Sequence, residues 1–371
     1  MRNLRATTLA LWLALAFGAA CSADRILTDD PESGGDDDAT LSDAEPHAAN
    51  NLRLLNLRTY DGSGQTVHPD FAQMPAWSTP FLLVATPYTY GSATVENPSL
   101  FSRGPDFEWT PLGQIAKPLA IPGNVASQYL SDPDMVGIPG TSELWIYYRQ
   151  VDSRNTILLK QTTDGLRFTD AVTVVSGAKH TIVSPAVVRR DSTRWRMWSV
   201  NAGKEGCSAW STTVELRRSK NGVQWSAPTT VSLTQGNTFV WHIDVQWIPS
   251  RQEYWALYNV KVGGSCMTQA LYLATSRDGL TWKTYPSPVI AAGVIPEFAD
   301  VVYRSTFSYD PISDKIRFWY SGARVEDERY VWRSAYDRRD RAEVFQSIAE
   351  LPLSPAAVRV ARPRPIFFDP P

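Results

Sequence analysis

The stretch Trp241-His242-Ile243-Asp244-Val245 decides the fold, because it is the most polar version of a segment that recurs five times. Its counterparts are His68-Pro69-Asp70-Phe71, Asp132-Pro133-Asp134-Met135 and Ser184-Pro185-Ala186-Val187 before it, and Arg304-Ser305-Thr306-Phe307 after it. Each is a short polar start running into apolar or β-branched residues, as an inner strand reads where it leaves solvent for a core. The starts at His68, Asp132, Ser184, His242 and Arg304 fall 52 to 64 residues apart. A near-even series of five predicts a radial repeat.

Working outward, each start is followed by a second strand rich in aromatic and β-branched residues: Phe81 to Ala85, Leu144 to Tyr148, Trp195 to Val200, Tyr254 to Tyr258 and Ile316 to Tyr320. A third strand and a polar turn come next, at Ser102 to Trp109, Thr162 to Phe168, Ser219 to Trp225 and Ser276 to Trp282. The Asp164-Gly165, Asn221-Gly222 and Asp278-Gly279 pairs supply the positive φ that a tight turn needs. Ser334 stands at the matching distance in the fifth repeat. Constant spacing inside the repeat, with variable length in the connections, predicts an all-β chain: a five-bladed β-propeller of four-stranded antiparallel blades. Either Asn51 to Thr59 or Val358 to Phe368 supplies the strand that closes the ring.

Residues 1–21 read as a signal peptide, with Arg2 and Arg5 before an apolar Leu9 to Phe17 and a small-residue Gly18-Ala19-Ala20 cleavage site. The Cys21 that follows resembles a lipobox and implies lipidation there; the alternative is a plain secretory signal that happens to contain a cysteine. Residues 22–50 are acidic, poor in large apolar side chains, and read as a disordered tether. Residues 51–371 then form a single propeller domain, exported to an outer membrane, cell surface, periplasm or medium, and monomeric. Its contact with membrane runs only through the N-terminal lipid. Cys207 and Cys266 fall 23 and 24 residues after two successive starts, so a disulfide between neighbouring blades is expected, against two unrelated thiols. The net charge of −2 excludes a nucleic-acid-binding surface.

In a propeller the inner-strand starts converge at one end of the central channel. That gathers His68, Asp132, Ser184, His242 and Arg304, with Asp70, Asp134 and Asp244 two places further in on the same side. Loops on the same face carry Tyr88, Glu96, Asn97, Arg149, Asn201 and Asn259. Carboxylates, imidazoles, arginine and amides beside aromatic rings suit a polyhydroxylated ligand, with Trp241 as the platform for a sugar face. Taken singly, any of these residues could instead bond neighbouring strands.

The five blades and the Asp-Pro at a blade start resemble the five-bladed glycoside hydrolases, the superfamily of arabinanases, β-xylosidases, levansucrases and invertases, with glycoside hydrolase family 43 the nearest pattern over about residues 55 to 345. The Ser-x-Asp-Gly-x-x-Trp turns resemble sialidase Asp-boxes, which are structural. The resemblance implies a carbohydrate substrate and a general base on blade one, a carboxylate that tunes it on blade two, and an acid glutamate on blade three. Asp70, Asp132 and Asp134 fit the first two positions. Blade three departs, having Ser184-Pro185-Ala186 where the glutamate belongs. The acid then comes from Glu96, His242, Asp244 or Glu297, with Asp70 or Asp132 as base and His68, Asp134, Arg149, Arg304, Asn97, Tyr88 and Trp241 holding substrate. The alternative is a propeller that binds glycans without cutting them. No cofactor is required, although the channel could hold a single Ca²⁺.

Overall fold

The computed structural model describes residues 52–103, 108–113, 118–120, 128–261 and 264–350. They form the expected all-β ring of five antiparallel sheets. Blade one comprises Thr66–Gln73, Phe81–Pro87, Ser99–Arg103 and Trp109–Pro111. Blade two comprises Tyr129–Gly137, Leu144–Val151, Arg154–Thr162 and Val172–Ala178. Blade three comprises Val183–Asp191, Arg194–Asn201, Thr213–Ser219 and Thr229–Val231. Blade four comprises Phe239–Ile248, Glu253–Lys261, Ala270–Ser276 and Lys283–Thr284, with Ile290–Ala291 also on the third of these. Blade five comprises Val301–Asp310, Lys315–Glu326 and Arg329–Asp340, and takes its outer strand, Arg53–Leu54, from the start of the ring. Closure is therefore N-terminal; Val358 to Phe368 lie outside the described residues.

The cores lie between blades, because a sheet that faces neighbours on both sides must be apolar on both. Leu82 and Val84 of blade one meet Leu144 and Ile146 of blade two. Tyr147 of blade two packs with Trp195 and Met197 of blade three. Trp198 and Leu216 of blade three pack with Val245 and Tyr254 of blade four. Leu257 and Leu273 of blade four join Phe307 and Phe318 of blade five. The last seam sets Phe71 flat on Trp319, ring centroids 4.0 Å apart. Each such side chain contributes roughly 1.5–3 kcal/mol by burial.

The polar turns are structural, as expected. In the Ser276 turn, Gly279 donates its N–H to Ser276 Oγ at 2.8 Å, and Leu280 and Thr281 donate theirs to Asp278 Oδ1, each at 2.8 Å. The turn carbonyls also tie blades together: Trp198 Nε1 donates to Gly279 O and Tyr147 Oη to Gly222 O, both at 2.9 Å. The expected Cys207–Cys266 bridge is present, joining the upper loops of blades three and four.

Two expectations are corrected. Ser334 is no turn residue; it sits inside the third strand of blade five, pairs with Ser321 and approaches Thr66 Oγ1 at 2.8 Å across the closing seam. The repeat is also aligned differently from its polar residues. Every inner strand carries a bulge at its start, two residues opposing one: His68-Pro69, Asp132-Pro133, Ser184-Pro185, Trp241-His242 and Tyr303-Arg304. His242 and Arg304 thus stand where blades one to three have proline. The composition also gave no sign of the helix Arg341–Ala349, which buries Val344 and Ile348 and sets Phe345 against Trp255.

Candidate active site at the propeller axis

The five bulges form a ring around the axis. His68, Asp132 and Ser184 hold left-handed φ values of 53°, 48° and 53°, a conformation that costs a non-glycine residue about 1–3 kcal/mol. Their side chains are thereby turned inward. Two layers result, one of imidazoles and arginines around Asp132 and one of three aspartates.

Asp132 is the hub of the first layer and is fully buried. Its Oδ2 lies 2.9 Å from Arg149 Nε. Its Oδ1 lies 2.9 Å from Arg304 Nη1, 3.5 Å from His68 Nε2 and 3.6 Å from His242 Nδ1. The Arg304 approach is close but misaligned, so neither atom completes a hydrogen bond. Burial opposes a charge on Asp132, but Arg149 and Arg304 outweigh it and hold the carboxyl well below its usual range. Burial pushes His68 down to about 3 and His242 well below its ordinary value, so both rings are neutral.

The tautomer of His68 follows from its neighbours. Thr86 Oγ1 gives its one hydrogen to Val67 O at 3.2 Å. His68 Nδ1, 3.0 Å from the same hydroxyl, must therefore be the donor to it. A neutral ring then leaves Nε2 as a bare lone pair facing the ionised Asp132 Oδ1. His242 is anchored through its backbone N–H to Asn259 Oδ1 at 2.7 Å, and both its ring nitrogens are buried without partners. His68, Asp132 and His242 together offer three ligand atoms within 4.8 Å of one another.

Arg304 spans the axis. From blade five its Nη2 donates to Pro133 O of blade two at 3.1 Å and to Pro185 O of blade three at 3.3 Å. Its charge also lowers the pKa of each carboxyl in the second layer, Asp70, Asp134 and Asp244. Their carboxylate oxygens lie within 4.8 Å of one another. Each reaches the next blade: Asp70 Oδ2 accepts from Met135 N at 2.6 Å, Asp134 Oδ2 from Val187 N at 3.0 Å and Asp244 Oδ2 from Thr306 Oγ1 at 3.0 Å. Burial and then mutual repulsion raise Asp70 to about 7 and Asp134 well above its usual value; burial raises Asp244. These three staple inner strands, and burial favours the protonated form of each.

Of the expected site residues, the structure brings His68, Asp132, His242, Arg149 and Arg304 together. Glu96 is buried beside them; burial raises its carboxyl well above the usual range against the pull of Arg149, and its Oε2 has no partner. Tyr88 stands 6.5 Å from the His68 ring, centroid to centroid. Ser184 is a staple, its Oγ donating to Ile243 O of blade four at 3.0 Å. Asn97 turns away to the Tyr60 hydroxyl, 2.8 Å off. Glu297 lies in a short turn before blade five. Trp241 is only 5% exposed and donates Nε1 to Tyr303 Oη at 3.1 Å, so it walls the site rather than offering an open face. Cys21 lies outside the described residues.

Sequence reasoning missed Thr86, Tyr303 and Trp210. Aligning the repeat on its bulges makes Tyr303 and Trp241 the counterparts of His68, and the Tyr303 ring lies 4.5 Å from that of His242. Trp210 is 78% exposed on the same blade-three loop as Cys207.

No family model matches the chain. Over an alignment of 358 residues it is 24% identical to the A type blood N-acetyl-alpha-D-galactosamine deacetylase of Flavonifractor plautii, which covers 78% of this chain and 46% of that protein. The chain therefore spans about half the length of the curated relative it matches. The crystal structure of an N-acetylgalactosamine deacetylase from F. plautii, in complex with blood group B trisaccharide, superposes with a TM-score of 0.69 at 21% identity, covering 77% of this chain and 92% of that one. A Penicillium chrysogenum alpha-L-arabinanase complexed with arabinobiose gives 0.52 at 11% identity, over 75% and 94%. A thermostable family-43 glycoside hydrolase gives 0.54 at 12%, over 74% and 89%. The fold shared with these carbohydrate-active proteins is the five-bladed propeller that the repeated starts implied.

Proposed function

We propose that this protein is a glycan-modifying hydrolase that removes an N-acetyl group from an amino sugar, at a centre where His68, Asp132 and His242 hold one divalent cation. The observation that carries the reading is the bare Nε2 of His68 facing the ionised Oδ1 of Asp132 at 3.5 Å. Two acceptors at that distance repel; Arg304 offsets part of this from one side of Oδ1, and a cation held among the three ligand atoms of His68, Asp132 and His242 would remove the rest. Two neutral imidazoles and one carboxylate are the donor set of Zn²⁺ and similar ions; the nitrogen donors disfavour Ca²⁺. Thr86 fixes the far nitrogen of His68, as an outer partner of a metal ligand does.

When bound, such an ion supplies Lewis acidity toward an acyl carbonyl and water. The chain's own groups supply the rest. Arg149 and Arg304 keep Asp132 ionised. Glu96, whose proton burial favours, is the candidate donor to the leaving nitrogen as the amide C–N bond breaks and the water oxygen joins the acyl carbon; one proton shed by that water returns to Glu96, and acetate, a free amino sugar and one released proton result. Tyr88, Trp241 and Tyr303 wall the centre. His68 and His242 are each only 3% exposed, so the centre is largely shielded from bulk water. The deacetylase relative found by sequence supports the same reading, and an N-acetylgalactosamine deacetylase from the same organism shares the fold.

Glycoside cleavage is the second reading. It is favoured by the opposite protonation of Glu96 and Asp132, the acid and the ionised partner such chemistry needs. The signal-like start, Cys21 and the disulfide support an exported, lipid-anchored location for either activity.

The test is to incubate the protein with an N-acetylgalactosamine-terminated oligosaccharide and measure acetate, free amine and new reducing ends. Acetate and amine that vanish on chelation, return with added Zn²⁺ and are lost in Asp132→Asn support deacetylation. New reducing ends without acetate would turn the case to glycoside cleavage, and neither product would sink both.

A further inference from the structure

A second concave site lies far from these residues. Strand direction places it: the inner strand of blade three runs from Ser184 at the mouth to Asp191 at the opposite end. A pocket of about 530 Å³ opens there, between the first hairpin of the blade and its Ser219 turn. Its cations are Arg190, Arg194, Arg196, Arg218 and Lys220, and among the described residues no carboxylate lines it. In a chain of net charge −2 this is a marked local excess.

Some of that charge is already engaged. Arg194 pairs with Asp191, and Arg196 donates to the carbonyl of Asp278. Arg190, Arg218 and Lys220 form no ion pair with any described residue. Arg190 sits over Trp247 with its Cζ 4.1 Å from the ring centre, which holds its guanidinium in place. The pKa of Arg196 is lowered chiefly by burial and further by Arg218 and Arg190, against the pull of Asp278, so the three cations crowd one another. Between the cations, Thr193, Ser219, Asn221 and Gln224 offer hydroxyl and amide groups.

We propose that this pocket is a second, non-catalytic binding site for an anionic saccharide, one whose sugars carry sulfate or carboxylate groups. Guanidinium forks match either oxyanion with two parallel hydrogen bonds. The amides and hydroxyls suit sugar hydroxyls, and the volume falls within the range of small-molecule sites. No exposed large apolar side chain lies at the rim for insertion into a lipid surface. The saccharide part of this assignment rests on the glycan reading above; the anion part stands on the pocket alone.

The full chain is titrated calorimetrically with a heparin-derived hexasaccharide, a hexagalacturonate, a neutral maltohexaose, inorganic sulfate and phosphatidylglycerol vesicles. The expected result is binding of one or both acidic oligosaccharides, weakening with salt, and no binding of the neutral one. Combining Arg190→Gln, Arg218→Gln and Lys220→Gln should weaken that binding at least about tenfold while acetate release at the channel is unchanged. The exposed pair Arg218→Glu and Lys220→Glu should do the same, should the first variant misfold. Equal binding of the neutral sugar, binding of vesicles or of sulfate alone, or wild-type affinity in both variants would overturn the proposal. No acetate release by the wild-type chain, with acidic-sugar binding intact, would instead count against the channel chemistry.

Discussion

Arg304 of blade five and Asp132 of blade two meet across the propeller axis, Arg304 Nη1 standing 2.9 Å from Asp132 Oδ1. The pair couples fold to site, because the arginine beside the carboxylate also holds backbone carbonyls of blades two and three. Replacing Asp132 with Asn leaves two buried guanidiniums without an anion. Breaking a buried pair in this way costs about 3–5 kcal/mol, so Asp132→Asn should lower stability by that amount in urea melts and abolish activity. A midpoint unchanged from wild type would mean that solvent reaches the cluster freely.

The second layer makes stability depend on pH in a way that can be isolated. Asp70, raised to about 7 in the folded chain, binds a proton there that the unfolded chain has already lost. Its contribution is complete below the unfolded carboxyl value near 3.9 and is lost as pH rises through about 7. The buried neutral histidines act oppositely, costing stability as pH falls below about 6.5, and are silent above it. From pH 6.5 to 8, therefore, wild-type stability should fall with rising pH, by at most about 1.4 kcal/mol per pH unit for one retained proton. Asp70→Asn and Asp134→Asn should flatten that slope. Parallel slopes in all three proteins would refute the shared protons.

The ring of blades was legible because each inner strand begins with a polar residue that an apolar run immediately follows. That contrast survives in a one-dimensional reading. Register did not survive it: proline at Pro69, Pro133 and Pro185 gives way to His242 and Arg304, so polar residues align one position away from the bulges they occupy. The reach of Arg304 across the axis needs coordinates, since nothing in Tyr303-Arg304-Ser305 indicates which carbonyls it finds. The layering of Asp132 above Asp70, Asp134 and Asp244 likewise depends on side-chain direction at left-handed residues. Ser334 was misplaced because blade five has longer strands, Lys315–Glu326 and Arg329–Asp340, which move its turn beyond the common spacing.

The glycine of each outer turn should prove structural and separable from chemistry. Gly279 has φ +71°, and a Cβ there would lie 2.6 Å from both Arg196 Nη1 and Trp198 Cζ2. Gly279→Ala should cost about 1–3 kcal/mol through overpacking and strain, while turnover per folded molecule stays at the wild-type value. A loss of turnover without a loss of stability would contradict this.

The loop carrying Trp210 offers the sharpest separation of binding from folding. The indole is 78% exposed, so Trp210→Ala removes almost no buried surface and should leave stability within about 0.5 kcal/mol of wild type. On the mouth face it can meet the apolar side of a sugar. An aromatic contact of this kind contributes about 0.5–1.5 kcal/mol, so KM for an oligosaccharide should rise roughly 2- to 10-fold with kcat unchanged. The Cys207–Cys266 bridge holds the same loop to blade four, where Gly264 N donates to Ala209 O at 3.4 Å and Lys261 Nζ to Cys207 O at 2.8 Å. Reduction should therefore raise KM as Trp210→Ala does, and should also lower stability by about 2–4 kcal/mol. In the Trp210→Ala background reduction should lower stability to the same extent but raise KM no further. If it still raises KM several-fold there, the bridge positions something other than the indole.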